Sequence, residues 1–150
     1  MISPARELAF RILLEVQRGG FASDLLATGA IALDSRDAGL AASITLGTLR
    51  YQAQIDFLIA QLAGRNVAKL DPEVRAALQM GAFQLHYLDR IPAHAAVGES
   101  VELVKQAKKR SAAGFVNAIL RKVTRQAPVW PDRSVALSCP EWMLARWTAF

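Results

Sequence analysis

The 150-residue chain predicts an all-α protein, a bundle of about six helices followed by a connector and one short C-terminal helix. Three observations carry that reading. Apolar residues recur at steps of three and four in almost every segment. The segments are punctuated by helix starts (Ser or Asp followed by Pro) and by helix stops (Gly pairs or Pro). Nowhere do two alternating runs flank a hairpin signal. Apolar residues make up 53% of the chain, enough for the core of one domain, which excludes a disordered or fibrous class.

Ser3-Pro4 supplies a capping hydroxyl and a first-turn proline, and Ala5, Leu8, Ala9, Ile12 and Val16 follow as one buried face. Gly19-Gly20 ends that helix. A short second helix is expected from Ser23 to about Ile31. Asp34 caps a long third segment whose stripe runs through Leu40, Ile44, Gly47, Tyr51, Ile55, Ile59 and Leu62 until Gly64-Arg65-Asn66 breaks it. Gly47 in the middle of that stripe predicts a close helix contact or a bend. In "LDPEV", Asp71 caps and Pro72 opens the fourth helix, with Val74, Leu78, Gly81, Leu85 and Leu88 on its inward side. Pro92 opens a fifth, carrying Val97, Val101 and Val104. Ser111 caps a sixth, carrying Phe115, Ile119, Leu120 and Val123.

Beyond Arg125 the texture changes. "QAPVWPDRSVALSCP" holds three prolines and little periodicity, so it reads as an extended connection. "EWMLARWTAF" starts another amphipathic helix with Trp142 and Trp147, expected to be loosely held and either to pack back on the bundle or to await something that follows. The division is therefore residues 1–126 as one helical domain and 127–150 as connector and the start of a next region. The longest run without an ionised side chain, residues 76–88, has 13 residues against the roughly 20 a membrane helix needs. Arg6 and Glu7 stand where an export signal would need its apolar segment. The lone cysteine, Cys139, fits a reducing compartment. A cytoplasmic protein is expected.

Net charge is +5, and its placement is more informative than its size. Residues 1–61 are nearly balanced. Residues 101–125 hold Lys105, Lys108, Lys109, Arg110, Arg121, Lys122 and Arg125 against Glu102 alone. Such asymmetry points to nucleic acid or another anionic partner. Helix C-termini also favour cations through the dipole, so a merely solvated face is the competing reading.

The stretch "IPAHAAVGESVELVKQAKKRSAAGFVNAILRKV" resembles the signature region of NusB-like RNA-binding domains, through Pro92, Glu99, Val101, Glu102, Leu103, Lys105, Phe115, Val116, Asn117 and Leu120. Two branches of that superfamily compare: free-standing transcription antitermination factors, and the N-terminal domain of bacterial small-subunit ribosomal RNA cytosine-5 methyltransferases. "LDSRDAGLAASITLGTLRYQAQIDFLI", the Trp130-Pro131 connector and "CPEWMLARW" are similar to the methyltransferase branch. The resemblance implies ribosomal RNA and a downstream methyltransferase domain as partners. It also implies S-adenosylmethionine and two catalytic cysteines in that downstream domain, with no cofactor in this chain. Cys139 is then a bystander and the chain by itself catalytically silent. The alternatives are an antitermination-type factor acting on nascent RNA with a ribosomal protein, and a helical protein–protein module whose basic face meets an acidic partner.

Candidate RNA contacts are accordingly Lys105, Lys108 and Lys109 on one side of the fifth helix, Arg110 after it, and Arg121, Lys122 and Arg125 at the end of the sixth. No aromatic residue interleaves with them in sequence, so base stacking is not indicated. Gly81 and Gly114 are expected at close helix contacts, Phe115 as a core anchor, and Asn117 as a buried amide bonding within the fold rather than to RNA. Glu99 and Glu102 are read as partners of nearby cations. His86 reads as a packed or surface histidine, and His94 as a cap or a groove wall. With one remote cysteine the two histidines make no metal set.

Overall fold

The computed structural model describes residues 1–123, 133–138 and 140–148, and every regular element among them is helical. Helix α1 (Pro4–Gln17) begins as expected: Ser3 is extended and its Oγ accepts the Arg6 N–H at 3.4 Å. It ends where Gly19 takes φ +99° and the Gly20 N–H reaches back to the Glu15 carbonyl at 2.9 Å. Helix α2 (Ala22–Gly29) is short and continues as a 3-10 turn over Ala30–Ala32. Asp34 caps α3 (Ser35–Arg50), its Oδ1 accepting the Asp37 N–H at 2.8 Å.

The long third segment is two helices, not one. It breaks at Tyr51 (φ −100°, ψ 20°), and α4 (Gln52–Ala63) sets off in a new direction. One straight helix over residues 35–63 would be about 44 Å long, too long to stay on this core. With the break, α3 packs on α1 and α5 while α4 packs on α5 and the later helices. Tyr51 at the corner stacks on Tyr87, centroids 4.6 Å apart, with the Arg50 guanidinium 5.5 Å from its ring centroid. Gly64 (φ +69°) closes α4.

Helix α5 (Pro72–Tyr87) is the axis of the bundle. An inward stripe was expected, but the whole run of residues 76–84 is buried, because α1, α3, α4, α6 and α7 all pack around it. Small residues make this possible. A Cβ on Gly81 would stand 2.7 Å from Leu120 Cδ1 and 2.9 Å from Ser100 Oγ, and one on Gly47 would stand 2.1 Å from Phe83 Cζ. Gly81 is thus a close-packing position, and Gly47 marks a close contact four residues before the break. Gly114 is not a close-packing position: it is exposed, and a Cβ there meets nothing within 4 Å.

The two buried glutamines of α5 find partners on neighbouring helices. Gln79 Nε2 donates to Asp56 Oδ1 at 2.7 Å, and burial raises the Asp56 pKa above the ordinary carboxylate value. Gln84, fully buried, accepts from Arg6 Nε at 2.7 Å and donates to the Met80 carbonyl at 3.0 Å. Arg6 itself is buried, and its Nη1 meets Glu99 Oε2 at 2.7 Å, while Glu99 Oε1 accepts the Ser3 N–H at 2.6 Å. Glu99 does serve a cation, as expected, but one contributed by α1.

Helix α6 (Ala93–Gln106) follows Pro92, and α7 (Ala113–Val123) follows a 3-10 turn over Arg110–Ala112. Ser111 lies inside that turn and is not a cap. Asp71 occupies the position before α5 without a side-chain capping bond. The expected extended connection contains a one-turn helix, α8 (Arg133–Ala136), which packs on α4 and leads to α9 (Glu141–Thr148). Gln54 holds it: its backbone N–H donates to Ser138 Oγ at 3.3 Å, its Nε2 to the Ala136 carbonyl, and its Oε1 accepts from the Tyr87 hydroxyl. Leu144 is buried while Leu137 and Trp142 are exposed. Arg125, Trp130, Pro131, Cys139 and the Trp147 side chain lie outside the described residues. Among the described residues no helix is long and apolar enough to cross a membrane.

Two measurements check this packing. Gly81→Ala should cost about 1–3 kcal/mol through overpacking, whereas Gly114→Ala should be neutral or gain up to about 1 kcal/mol in urea titrations. Arg6→Ala, which strands Glu99 and Gln84 in the interior, should cost about 3–5 kcal/mol in the same titration.

Candidate nucleic-acid interface

The connection from α6 to α7 decides where the cations stand. Helix α6 closes with a Schellman motif: the Lys109 N–H bonds the Val104 carbonyl at 2.8 Å and the Lys108 N–H the Lys105 carbonyl at 3.1 Å. The left-handed residue in this motif is usually glycine. Here it is Lys108, at φ 64°. Lys108 and Lys109 therefore do not extend the α6 face that carries Lys105; the chain has already left the helix. Lys108 and Arg110 are exposed, and among the described residues no carboxylate comes within ion-pair distance of either.

Their neighbours are engaged. Lys105 meets Glu102 at 3.4 Å, an exposed pair worth little. Lys109 Nζ reaches Asp71 Oδ2 at 3.4 Å and Glu73 Oε2 at 4.0 Å, both at the start of α5. The sequence count of one carboxylate around these cations overlooked this pair, because Asp71 and Glu73 lie more than thirty residues upstream. The Lys109 pair with Asp71 is as exposed as that of Lys105 and likewise weak, so what distinguishes Lys108 and Arg110 is that among the described residues no carboxylate lies within ion-pair distance of them.

A shallow groove opens beside them. Arg65, Lys69, Leu70, Asp71, Val74, Ser111, Ala112 and Phe115 line it, and the Arg65 guanidinium lies 5.4 Å from the centroid of the half-buried Phe115 ring. Phe115 is therefore partly core and partly groove wall. An aromatic ring does accompany the cations, contrary to the reading from sequence, because folding brings Arg65 to residue 115. Arg65 and Lys69 were missed as candidates. Each is an isolated cation in a break between helices, and no local pattern links it to residues 105–110.

Arg121 and Lys122 stand elsewhere. Helix α7 runs back along α6, so its C-terminal end meets the start of α6: Arg121 shares a second groove with Ala93 and His94. The two basic clusters are at opposite ends of this hairpin, roughly 12 Å apart along α7 at 1.5 Å per residue, and not side by side. Asn117 is half-exposed rather than buried, and its Oδ1 accepts from Arg121 Nε at 3.1 Å. Arg125 cannot be placed, since it lies outside the described residues.

The histidines do not converge. His86 is edge-on to Tyr87 at 4.7 Å, with burial lowering its pKa, while His94 lines the second groove. Among the described residues no three His, Cys, Asp or Glu side chains cluster as metal ligands. Nor is there a strand among them, and so no strand–loop–helix turn of the kind that holds a nucleotide cofactor.

The model of the NusB family matches residues 3–125. The chain belongs to the NusB family. Among curated proteins it is similar to ribosomal RNA small subunit methyltransferase B of Thermus thermophilus, 41% identical over 150 residues that make up 97% of this chain and 35% of that protein. To the protein of the same name in Pseudomonas putida it is 39% identical over 123 residues, 79% of this chain and 28% of the relative. The chain thus spans about a third of the length of these relatives. The solved structure of antitermination factors NusB and NusE with double-stranded RNA has a TM-score of 0.74 at 23% identity, covering 81% of this chain and 94% of that one. A Thermotoga maritima NusB structure, also at 0.74 and 23%, covers 85% and 96%. These likenesses establish the NusB helical fold, as residues 92–120 led one to expect.

Lys108 offers a check that separates charge from backbone. Lys108→Gly should hold or raise stability by up to about 1 kcal/mol, since it relieves a left-handed conformation that costs an L-residue about 1–2 kcal/mol. Lys108→Val, β-branched at the same φ, should lower it. Urea midpoints for the two variants decide the matter.

Proposed function

We propose that this NusB-type domain grips ribosomal RNA for a longer, S-adenosylmethionine-dependent cytosine-5 methyltransferase of the small-subunit type, in the cytoplasm. The observation that carries this is the pair of cations Arg65 and Lys69 lining the Phe115 groove, whose Ser111 and Ala112 directly follow the exposed Lys108 and Arg110 in the chain. Phosphate contacts from such side chains position a strand without reading it, and Phe115 with Arg65 offers a stacking surface for an unpaired base. The similarity to small-subunit methyltransferases at 39–41% identity favours this parent over an antitermination factor, which likeness of fold supports at 23%. Residues 1–126 are assigned to RNA. Residues 127–150 are assigned to the passage toward the methyltransferase domain, which supplies the cofactor, the nucleophile and all covalent chemistry.

Fluorescence anisotropy with a small-subunit ribosomal RNA fragment, repeated across salt concentrations, tests the proposal. The triple variant Lys69→Glu, Lys108→Glu, Arg110→Glu spares Lys109 and its ion pairs, so it should stay folded. Affinity should fall for every RNA sequence, and the slope of log affinity against log salt should shrink by about 0.7–0.9 for each phosphate the variant no longer neutralises. A folded variant with unchanged affinity and slope would overturn the assignment and favour an acidic protein partner.

A further inference from the structure

The second groove, between the start of α6 and the end of α7, has no part in the function proposed above. Its volume is about 340 Å³, within the range of small-molecule sites. Leu85, Val97 and Leu120 form an apolar floor, and His94, Asn117 and Arg121 stand among its walls. Among the described residues no carboxylate lines it. The 3.1 Å bond from Arg121 Nε to Asn117 Oδ1 joins two of these wall residues one turn apart on α7. That bond uses the Asn117 oxygen and leaves the amide N–H₂ as a donor.

This combination is the chemistry of an unpaired nucleotide: an apolar slot for the base, an imidazole to stack on it, an amide to bond its edge and a guanidinium for its phosphate. Lys122, seven residues beyond Phe115 and so on the same face of α7, adds a second exposed cation at the Arg121 end. The roughly 12 Å along α7 corresponds to about three or four nucleotides at 3.4 Å per stacked step.

We propose that the groove receives one unpaired nucleotide of the RNA held at the basic end, its base against Leu85, Val97 and Leu120 and its phosphate on Arg121. This rests on the RNA-binding reading above and makes the domain a reader of an unstacked base as well as a holder of backbone.

Gly98 supplies the test. It lines the groove, and a Cβ built on it meets nothing within 4 Å. A larger side chain there can occupy the groove without disturbing the core, and replacing a mid-helix glycine favours the helix. Gly98→Leu should therefore melt at or above the wild-type temperature. It should bind single-stranded small-subunit ribosomal RNA roughly 5- to 150-fold more weakly, the loss expected for one stacked base, with an unchanged salt slope because the cations remain. Gly98→Ala, too small to fill the slot, should bind as wild type. If wild type binds RNA and Gly98→Leu binds equally well, the groove takes no nucleotide and this inference fails while the RNA-binding reading stands. If wild type itself does not bind, the RNA-binding reading fails first. A Gly98→Leu chain that keeps full RNA affinity yet loses an acidic peptide bound by wild type would assign the groove to a protein.

Discussion

The architecture depends on one helix having no side open to water for most of its length. Residues 76–84 of α5 are enclosed on every face, so five other helices must approach it closely and every polar atom it carries needs an internal partner. The first demand is met by absent or small side chains, Gly81 under Leu120 and Gly47 under Phe83. The second is met by Asp56 for Gln79 and by Arg6 for Gln84. Arg6 brings its own charge into the interior, and Glu99 neutralises it. A chain of polar contacts thus joins α1, α5 and α6, so the helices whose register matters most are coupled by direction-dependent bonds and not by apolar contact alone.

Much of this was legible in one dimension where the cause is local. Ser3-Pro4 and Asp34 act as caps, Gly64 ends its helix in the left-handed conformation, and the run from Pro92 to Leu120 carried the family. What escaped reading has causes far away in sequence. The turn at Tyr51 has no glycine or proline; its ring meets Tyr87, thirty-six residues later. Asp71 looked like a cap and instead faces Lys109. Helical periodicity predicted one dry face for α5, because a stripe cannot announce that partners come from all directions.

The cations show the same division. Their number and their scarcity of nearby carboxylates set residues 101–125 apart in sequence, but three- and four-residue spacing implies a shared face only while the helix lasts. It ends at Gln106, and a non-glycine residue at φ 64° turns the next lysine away. Folding then sorts the set: Lys109 goes to acids of α5, Lys108 and Arg110 go outward, and Arg121 goes to the far end of the hairpin. Charge density along a chain is a statement about composition, while the potential a strand feels is set by which charges remain uncompensated.

The tether formed by Gln54 differs in kind from the basic end. Its bonds to Ser138, Ala136 and Tyr87 involve only uncharged groups, and the Tyr87 phenol, pushed up to about 12 by burial and then by Tyr51, keeps its proton throughout the physiological range. Mobile ions screen the attraction between a lysine and a phosphate, yet scarcely weaken an amide or hydroxyl bond of this sort. Ionic strength therefore acts on the two ends of the domain independently. Rising salt screens the exposed Lys108 and Arg110 while α8 stays seated on α4.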